Sequence, residues 1–299
     1  MINDMDKQIN TLHIEQFNEL THNQSFYVST LTDHLNNHHH RIERPHKHDF
    51  NLVVLFTQGS GIHEVDFKSY NVQAGSLFYL YPGQVHAWRL SEDIKGYIFF
   101  HSGIFTSELE RRGLDFFSYA SSLNRAQPNV DMAEESNILI PYFEKLLLEN
   151  SANKYGKNTY LLAIVTSMYI EIYRKSLHVI QENTADAKSY LNYFNQFNQL
   201  LEENFKKEKS PSLYAQNLHI SPKHLNRILQ SVIGKSTNDI ILDRVILEAQ
   251  RMLIYENRSK SEIANELGYD DYAYFSHIFK SRTQISPSEF VKNIGNRYN

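Results

Sequence analysis

The 299-residue chain contains no cysteine. That absence excludes a disulfide framework, a thiolate zinc site and a cysteine nucleophile. Long apolar runs are missing too. The longest candidate, Leu161 to Ile172, holds Thr166, Ser167 and Glu171 and is too short for ~30 Å of hydrocarbon. The first residues, MINDMDKQIN, show no basic segment leading into an apolar one, so a secretory leader is not expected. A cytoplasmic protein with no membrane segment is the expectation. Charge of one sign is also scarce: the net charge is −4. It is unevenly spread, however. Residues 195–299 sum to +2 and residues 1–194 to −6, an asymmetry in the direction of a C-terminal part that faces nucleic acid.

What is present divides by pattern. A chain of this length suggests about two domains at ~100–200 residues each. From Ser25 to His101 short β-type runs alternate with turn signals. Phe50–Thr57 ends at Gly59-Ser60-Gly61, Ile62–Tyr70 alternates loosely, and Leu77–Leu80 is followed by Pro82-Gly83. Trp88 and Tyr97–Phe100 close the region. No helical period fits here, and strands at this spacing predict a sandwich or barrel. From about Ile104 the pattern turns helical. Ile138, Tyr142, Phe143, Leu146 and Leu147 form one stripe, with Asp131 and Glu134 as a capping pair. Leu161, Val165, Met168 and Ile172 form a second stripe. These helices either cover the β region or join two subunits. The polar stretch QENTADAK (181–188) reads as a linker.

The last third contains an internal repeat. His224-Leu225-Asn226-Arg227-Ile228-Leu229 matches Tyr274-Phe275-Ser276-His277-Ile278-Phe279 at an offset of 50, and Ala215–Leu218 matches Ala264–Leu267 at 49. Each copy reads as a helix-turn-helix. Ser221 caps and Pro222 opens the second helix of the first copy, while Leu225, Ile228 and Leu229 face inward. In the second copy Gly268 suits a left-handed helix end, Asp270 or Asp271 caps, and Phe275, Ile278 and Phe279 face inward. Between the copies, residues 237–256 form a continuous helical pattern of ~30 Å, close to the ~34 Å of a DNA turn.

Residues 190–299 resemble the DNA-binding domain of the AraC/XylS family of transcription regulators. The resemblance rests on Ser261-Glu262-Ile263-Ala264, Leu267-Gly268-Tyr269, Tyr274-Phe275-Ser276, Phe279-Lys280 and Ser286-Pro287-Ser288-Glu289-Phe290. His219 and Gln284 stand where that family commonly has glycine, and His277 where it has arginine. The resemblance implies a DNA-facing set of Ser221, Lys223, His224, Asn226, Arg227 and Gln230 in the first copy and Tyr272, Ala273, Ser276, His277 and Lys280 in the second, with Lys280 and Arg282 nearer the phosphates. By the same resemblance Lys223, Asn226 and Arg227 face bases. Arginine suits guanine and asparagine suits adenine as bidentate partners.

Arg44-Pro45-His46-Lys47-His48-Asp49 and Tyr81-Pro82-Gly83-Gln84-Val85-His86 are similar to the two cupin motifs. The resemblance implies an α+β protein: a cupin-like β-barrel with flanking helices in residues 1–181, a linker at 182–189 and an all-α DNA-binding domain at 190–299. His46, His48 and His86 match three metal positions of metallocupins, but Leu52 and Val53 stand where a glutamate ligand belongs and Leu90 replaces an asparagine. A barrel mouth lined by His46, His48, Tyr81, His86 and Trp88, with Phe78 nearby, is the expected effector site, and no cofactor is expected. The triplet His38-His39-His40 reads as a solvent-exposed polar arm. The expected function is a DNA-binding regulator that senses a small molecule, not an enzyme. Its partners would be double-stranded DNA, an effector, a second copy and, for an activator, RNA polymerase. The rival from another class is a metal-dependent cupin enzyme with a DNA-binding appendage.

Overall fold

The structure is a computed structural model and describes residues 10–17, 25–42, 44–103, 105, 107–108, 128–152, 154–177 and 185–295. Two compact units divide between Gln181 and Glu182. The amino-terminal decapeptide read for a leader lies, apart from Asn10, outside the described residues. So does most of the 104–128 stretch where the helical pattern was expected to begin.

The first unit is built on strands that alternate, in sequence, between two apolar faces. Its elements are β1 (Thr11–Leu12), β2 (Phe26–Thr30), α1 (Leu31–Ile42), β3 (Lys47–His48), β4 (Asn51–Gln58), β5 (Gly61–Val65), β6 (Lys68–Val72), β7 (Ser76–Leu80), β8 (His86–Leu90), β9 (Lys95–His101), β10 (Asn129–Asp131), α2 (Ser136–Ser151) and α3 (Lys157–Leu177). A five-stranded antiparallel sheet runs β10-β7-β4-β9-β2, and a three-stranded one runs β6-β5-β8. β4 shows why its sequence is a continuous apolar run. Val53 and Leu55 point to the α2–α3 side, whereas Leu52, Val54 and Phe56 join the core shared with the second sheet. A strand covered on both faces needs no polar alternation.

The stripe Leu161, Val165, Met168 and Ile172 is buried against this sheet, together with Leu139, Phe143 and Leu146. The helices therefore spend their apolar faces on their own domain, and the stripes are not free to join subunits. Three local expectations are corrected. α2 starts at Ser136 with Glu135 as its N-cap, while Asp131 ends β10 and its Oδ1 accepts from the Ala133 amide at 3.0 Å. Ile138 is 47% exposed and Leu139 takes its inward place. α1 lies where no helix was read, and the His38 of the supposed arm sits on it, its ring edge-on to Phe17 at 4.9 Å. Polar Thr32, Asp33, Asn36 and Asn37 are the solvent face of α1, and Leu31 and His34 its buried face.

The second unit is helical: α4 (Ala185–Asn204), α5 (Pro211–Asn217), α6 (Pro222–Ile233), α7 (Thr237–Tyr255), α8 (Lys260–Glu266), α9 (Tyr272–Thr283) and α10 (Pro287–Gly295). α4 begins inside the polar segment read as a linker. Arg244 of α7 binds Glu202 of α4 through Nε at 2.9 Å and lies 3.8 Å over the Phe205 ring, tying the connector to the domain's first helix. Among the described residues no helix is long and apolar enough to cross a membrane.

Candidate functional sites

Each reader helix of the second unit is set by a turn with a matched backbone. After α5 the amide of Ile220 donates to Ala215 O at 3.0 Å and that of His219 to Gln216 O at 3.0 Å. After α8 the amides of Tyr269 and Gly268 donate to Ala264 O and Asn265 O, both at 2.9 Å. These are the paired bonds of a Schellman helix end, which requires left-handed backbone. Both small residues, Ala215 and Ala264, are fully buried where the helices cross. The next helices are capped as the sequence suggests. Ser221 Oγ accepts from the His224 amide at 3.2 Å, and Asp271, rather than Asp270, accepts from the Ala273 amide at 2.8 Å.

On α6, Lys223, Asn226, Arg227 and Gln230 are exposed, and Leu225, Ile228 and Leu229 are buried. Two of the proposed readers are already engaged. The Asn226 side-chain oxygen accepts from the Thr237 amide at 3.0 Å, the first residue of α7. Reading adenine bidentately needs that oxygen, so here Asn226 fastens α6 to α7. Arg227 lies 3.0 Å from His224 Nδ1 and over the Tyr190 ring of α4 at 5.8 Å. Arg227 can only donate, so His224 Nδ1 is the acceptor. Tyr193 also flanks His224, at 6.1 Å. The tyrosine shelf was not read from the sequence, because Tyr190 and Tyr193 lie before the repeat.

On α9, Ala273, His277 and Lys280 are exposed, Ser276 and Tyr272 half-buried, and Tyr272 leans on Phe275. Tyr274, at 59% exposure, joins this outward face. Arg282 does not stand free for phosphate: it binds Asp239 at 2.6 Å and approaches Asp243. The 19-residue α7 between the readers spans ~28 Å at 1.5 Å per residue.

In the first unit the two histidine motifs meet through the backbone. His46 and His86 exchange amide–carbonyl bonds at 3.1 and 2.9 Å, and their rings lie 4.4 Å apart. His48 lies 5.1 Å from His86 and stacks on Phe50. A fourth histidine, His63 of β5, joins them with Nε2 3.0 Å from His86 Nδ1. Its signal was the alternation that places it two residues from inward Val65. Trp88 and Phe78 flank His63, at 5.3 and 4.4 Å. Tyr81 is not part of this group: it packs on Tyr79 in the core under α2 and α3. Burial is the main cause that pushes these imidazoles down, His48 and His63 to about 3, with His46 and His86 also lowered. They are therefore neutral at pH 7. Among the described residues no group of three histidine or acidic side chains is arranged to hold a metal ion.

Two family models match the chain. One is an AraC-like ligand binding domain, over residues 26–125, and the other a helix-turn-helix domain, over residues 214–293. The chain is 23% identical over 257 residues to the HTH-type transcriptional activator RhaS of Escherichia coli strain SE11, covering 82% of this chain and 86% of the relative. Among solved structures, ToxT from Vibrio cholerae aligns over 89% of this chain and 98% of its own, at 13% identity and a TM-score of 0.44. The C-terminal domain of the response regulator yesN from Fusobacterium nucleatum aligns over 33% and 98%, at 24% identity and a TM-score of 0.32.

Proposed function

This chain belongs to the AraC family of transcription regulators, and we propose that it recognises its operator with α6 and α9 in adjacent major grooves under control of an effector held by the first unit. One observation carries the reading. Two capped helix-turn-helix copies are joined by a single helix whose length approaches the DNA repeat. In this reading α6 carries most of the base discrimination through Lys223 and Arg227. α9 offers Ala273, Tyr274, His277 and Lys280 and contributes more to register than to sequence. The effector acts by binding one arrangement of the protein more tightly than another. The relatives named as activators support transcription activation, with contact to RNA polymerase, as the output. A homodimer on two half-sites is part of the proposal, as is a cytoplasmic, non-enzymatic role.

Selection of genomic fragments on the full-length protein at ~150 mM salt tests it, since phosphate contacts alone make affinity salt-dependent. Enrichment of a few sites with paired half-sites, lost with Arg227→Ala, is the expected result. Purely salt-sensitive binding without enrichment, with and without cell-extract metabolites, overturns it.

A further inference from the structure

Arg227 of α6 is seated by a helix that lies outside both helix-turn-helix copies. Tyr190 and Tyr193 lie three residues apart on α4, and His224 and Arg227 three apart on α6. At that spacing each pair shares one helix face, and the two faces meet. Both tyrosine rings stand edge-on to the His224 ring at 6.1 Å, with interplanar angles of 84° and 79°. The Arg227 guanidinium lies over the Tyr190 ring at 5.8 Å and donates from Nη2 to His224 Nδ1 at 3.0 Å. Leu191 and Phe194, next to the tyrosines in sequence, are buried. They fix α4 by its apolar face and leave the half-buried tyrosines to α6. The far end of α4 is fixed as well, through Glu202 and Arg244 of α7.

This seat restricts what the arginine binds. An unheld arginine reaches phosphates from many rotamers, whereas one held by its face and by one nitrogen has lost that freedom before DNA arrives. Its remaining N–H groups form a planar fork of donors. In the major groove two neighbouring acceptors match such a fork, O6 and N7 of guanine. The side chains beside it agree. Lys223 has no acceptor, and the Asn226 oxygen accepts from the Thr237 amide. None of these three residues offers an acceptor to the amino group of adenine or cytosine.

Resting on the reading of α6 as a base-contacting helix, we propose that Tyr190, together with His224, is a positioning residue that fixes Arg227 as a guanine reader. Base preference at one operator position is therefore set partly by α4, whose start at Ala185 falls just after the boundary between the two units. Loosening the entry turns of α4 costs base preference rather than general affinity.

The test uses the full-length protein and duplexes of its selected operator. The base pair whose preference is lost in Arg227→Ala is replaced in turn by the other three. The readout is the ratio of affinities for guanine and for each alternative, at one salt concentration. Tyr190→Leu should shrink that ratio about two- to fivefold, the worth of one exposed cation–π contact. Tyr190→Phe keeps the ring and should keep the ratio. Asn226→Ala, which loosens α6 without touching the tyrosines, should lose stability and also keep the ratio. Two measurements need no variant at Tyr190. 7-Deazaguanine, which lacks the N7 acceptor, should weaken the unsubstituted protein and not Arg227→Ala. Side-chain ¹⁵N relaxation of the free protein should show an ordered Arg227 guanidinium. A preferred base other than guanine overturns the proposal. So does an unchanged ratio or equal weakening on all four duplexes with Tyr190→Leu, and so does a freely tumbling guanidinium. Uniform weakening by Arg227→Ala is a distinct result: it removes Arg227 from base reading, and the underlying reading of α6 then fails first.

Discussion

His219 and Gly268 hold the same position in the two helix-turn-helix copies, each in left-handed backbone one residue past the helix C-cap, at φ 56° and 76°. Only Gly268 is walled in: a Cβ there would meet the Lys206 carbonyl oxygen and Lys209 Nζ, each at 2.5 Å. The asymmetry reverses at the ends of the reader helices. There Gly234 (φ 69°) and Gln284 (φ 68°) are the equivalent pair. Each copy thus has one glycine and one strained side chain at its two left-handed positions.

The two positions should therefore respond oppositely. Left-handed backbone costs an ordinary residue ~1–2 kcal/mol, part of which glycine returns through its greater freedom when unfolded. His219→Gly and Gln284→Gly should each stabilise the second unit, by about 0.5–1 kcal/mol. Gly268→Ala should destabilise it by more than ~2 kcal/mol, since backbone strain and a carbonyl clash add. Calorimetric melting of the three variants checks the signs.

Arg227→Ala should cost ~1–3 kcal/mol of operator binding and relax preference at one base pair. Uniform weakening on all sequences would make Arg227 a phosphate contact. Tyr190→Leu removes the ring beneath the guanidinium and should cost about 0.5–1 kcal/mol through the looser arginine. Its effect should vanish in the Arg227→Ala background, which a double-mutant cycle in a binding assay reads directly.

Asn226→Ala should behave as a structural variant. Loss of the bond to the Thr237 amide should lower the stability of the second unit by about 1 kcal/mol. The ranking of preferred DNA sequences should stay the same. Asn226→Asp keeps the acceptor and should restore much of the stability, as measured by urea unfolding.

Acid should undo the first unit before the second. His34, His48 and His63 are held near 3 and His101 near 4, burial being the leading cause for each. The unfolded chain takes up these protons near pH 6.5. Their stabilisation is therefore complete above about pH 6.5 and lost as pH falls toward the folded values, at about 1.4 kcal/mol per pH unit for each histidine. In a thermal scan the first unit's transition should fall steeply as pH drops from about 6.5 to 5. The second unit should barely move over that range.

The sequence by itself carried the repeat, the cap at Ser221, the α7 connector and the strands of the first unit, and it narrowed the second cap to Asp270 or Asp271. These depend on local chemistry: hydroxyl and carboxylate caps, proline at a helix start, periods of two and of about 3.6 residues. The resemblance to the two cupin motifs also placed His46, His48 and His86 together. Tertiary structure alone decided which groups are spoken for. Asn226, Arg227 and Arg282 read as free polar side chains along a helix, yet their partners Thr237, Tyr190 and Asp239 come from other helices. His63 entered the histidine group, and Tyr81 left it, because the pleat puts neighbours in sequence on opposite faces and only the packing of two sheets says which face is shared. The α2 and α3 stripes announced burial, but not against what. That answer belongs to the face of the five-stranded sheet that carries Val53 and Leu55.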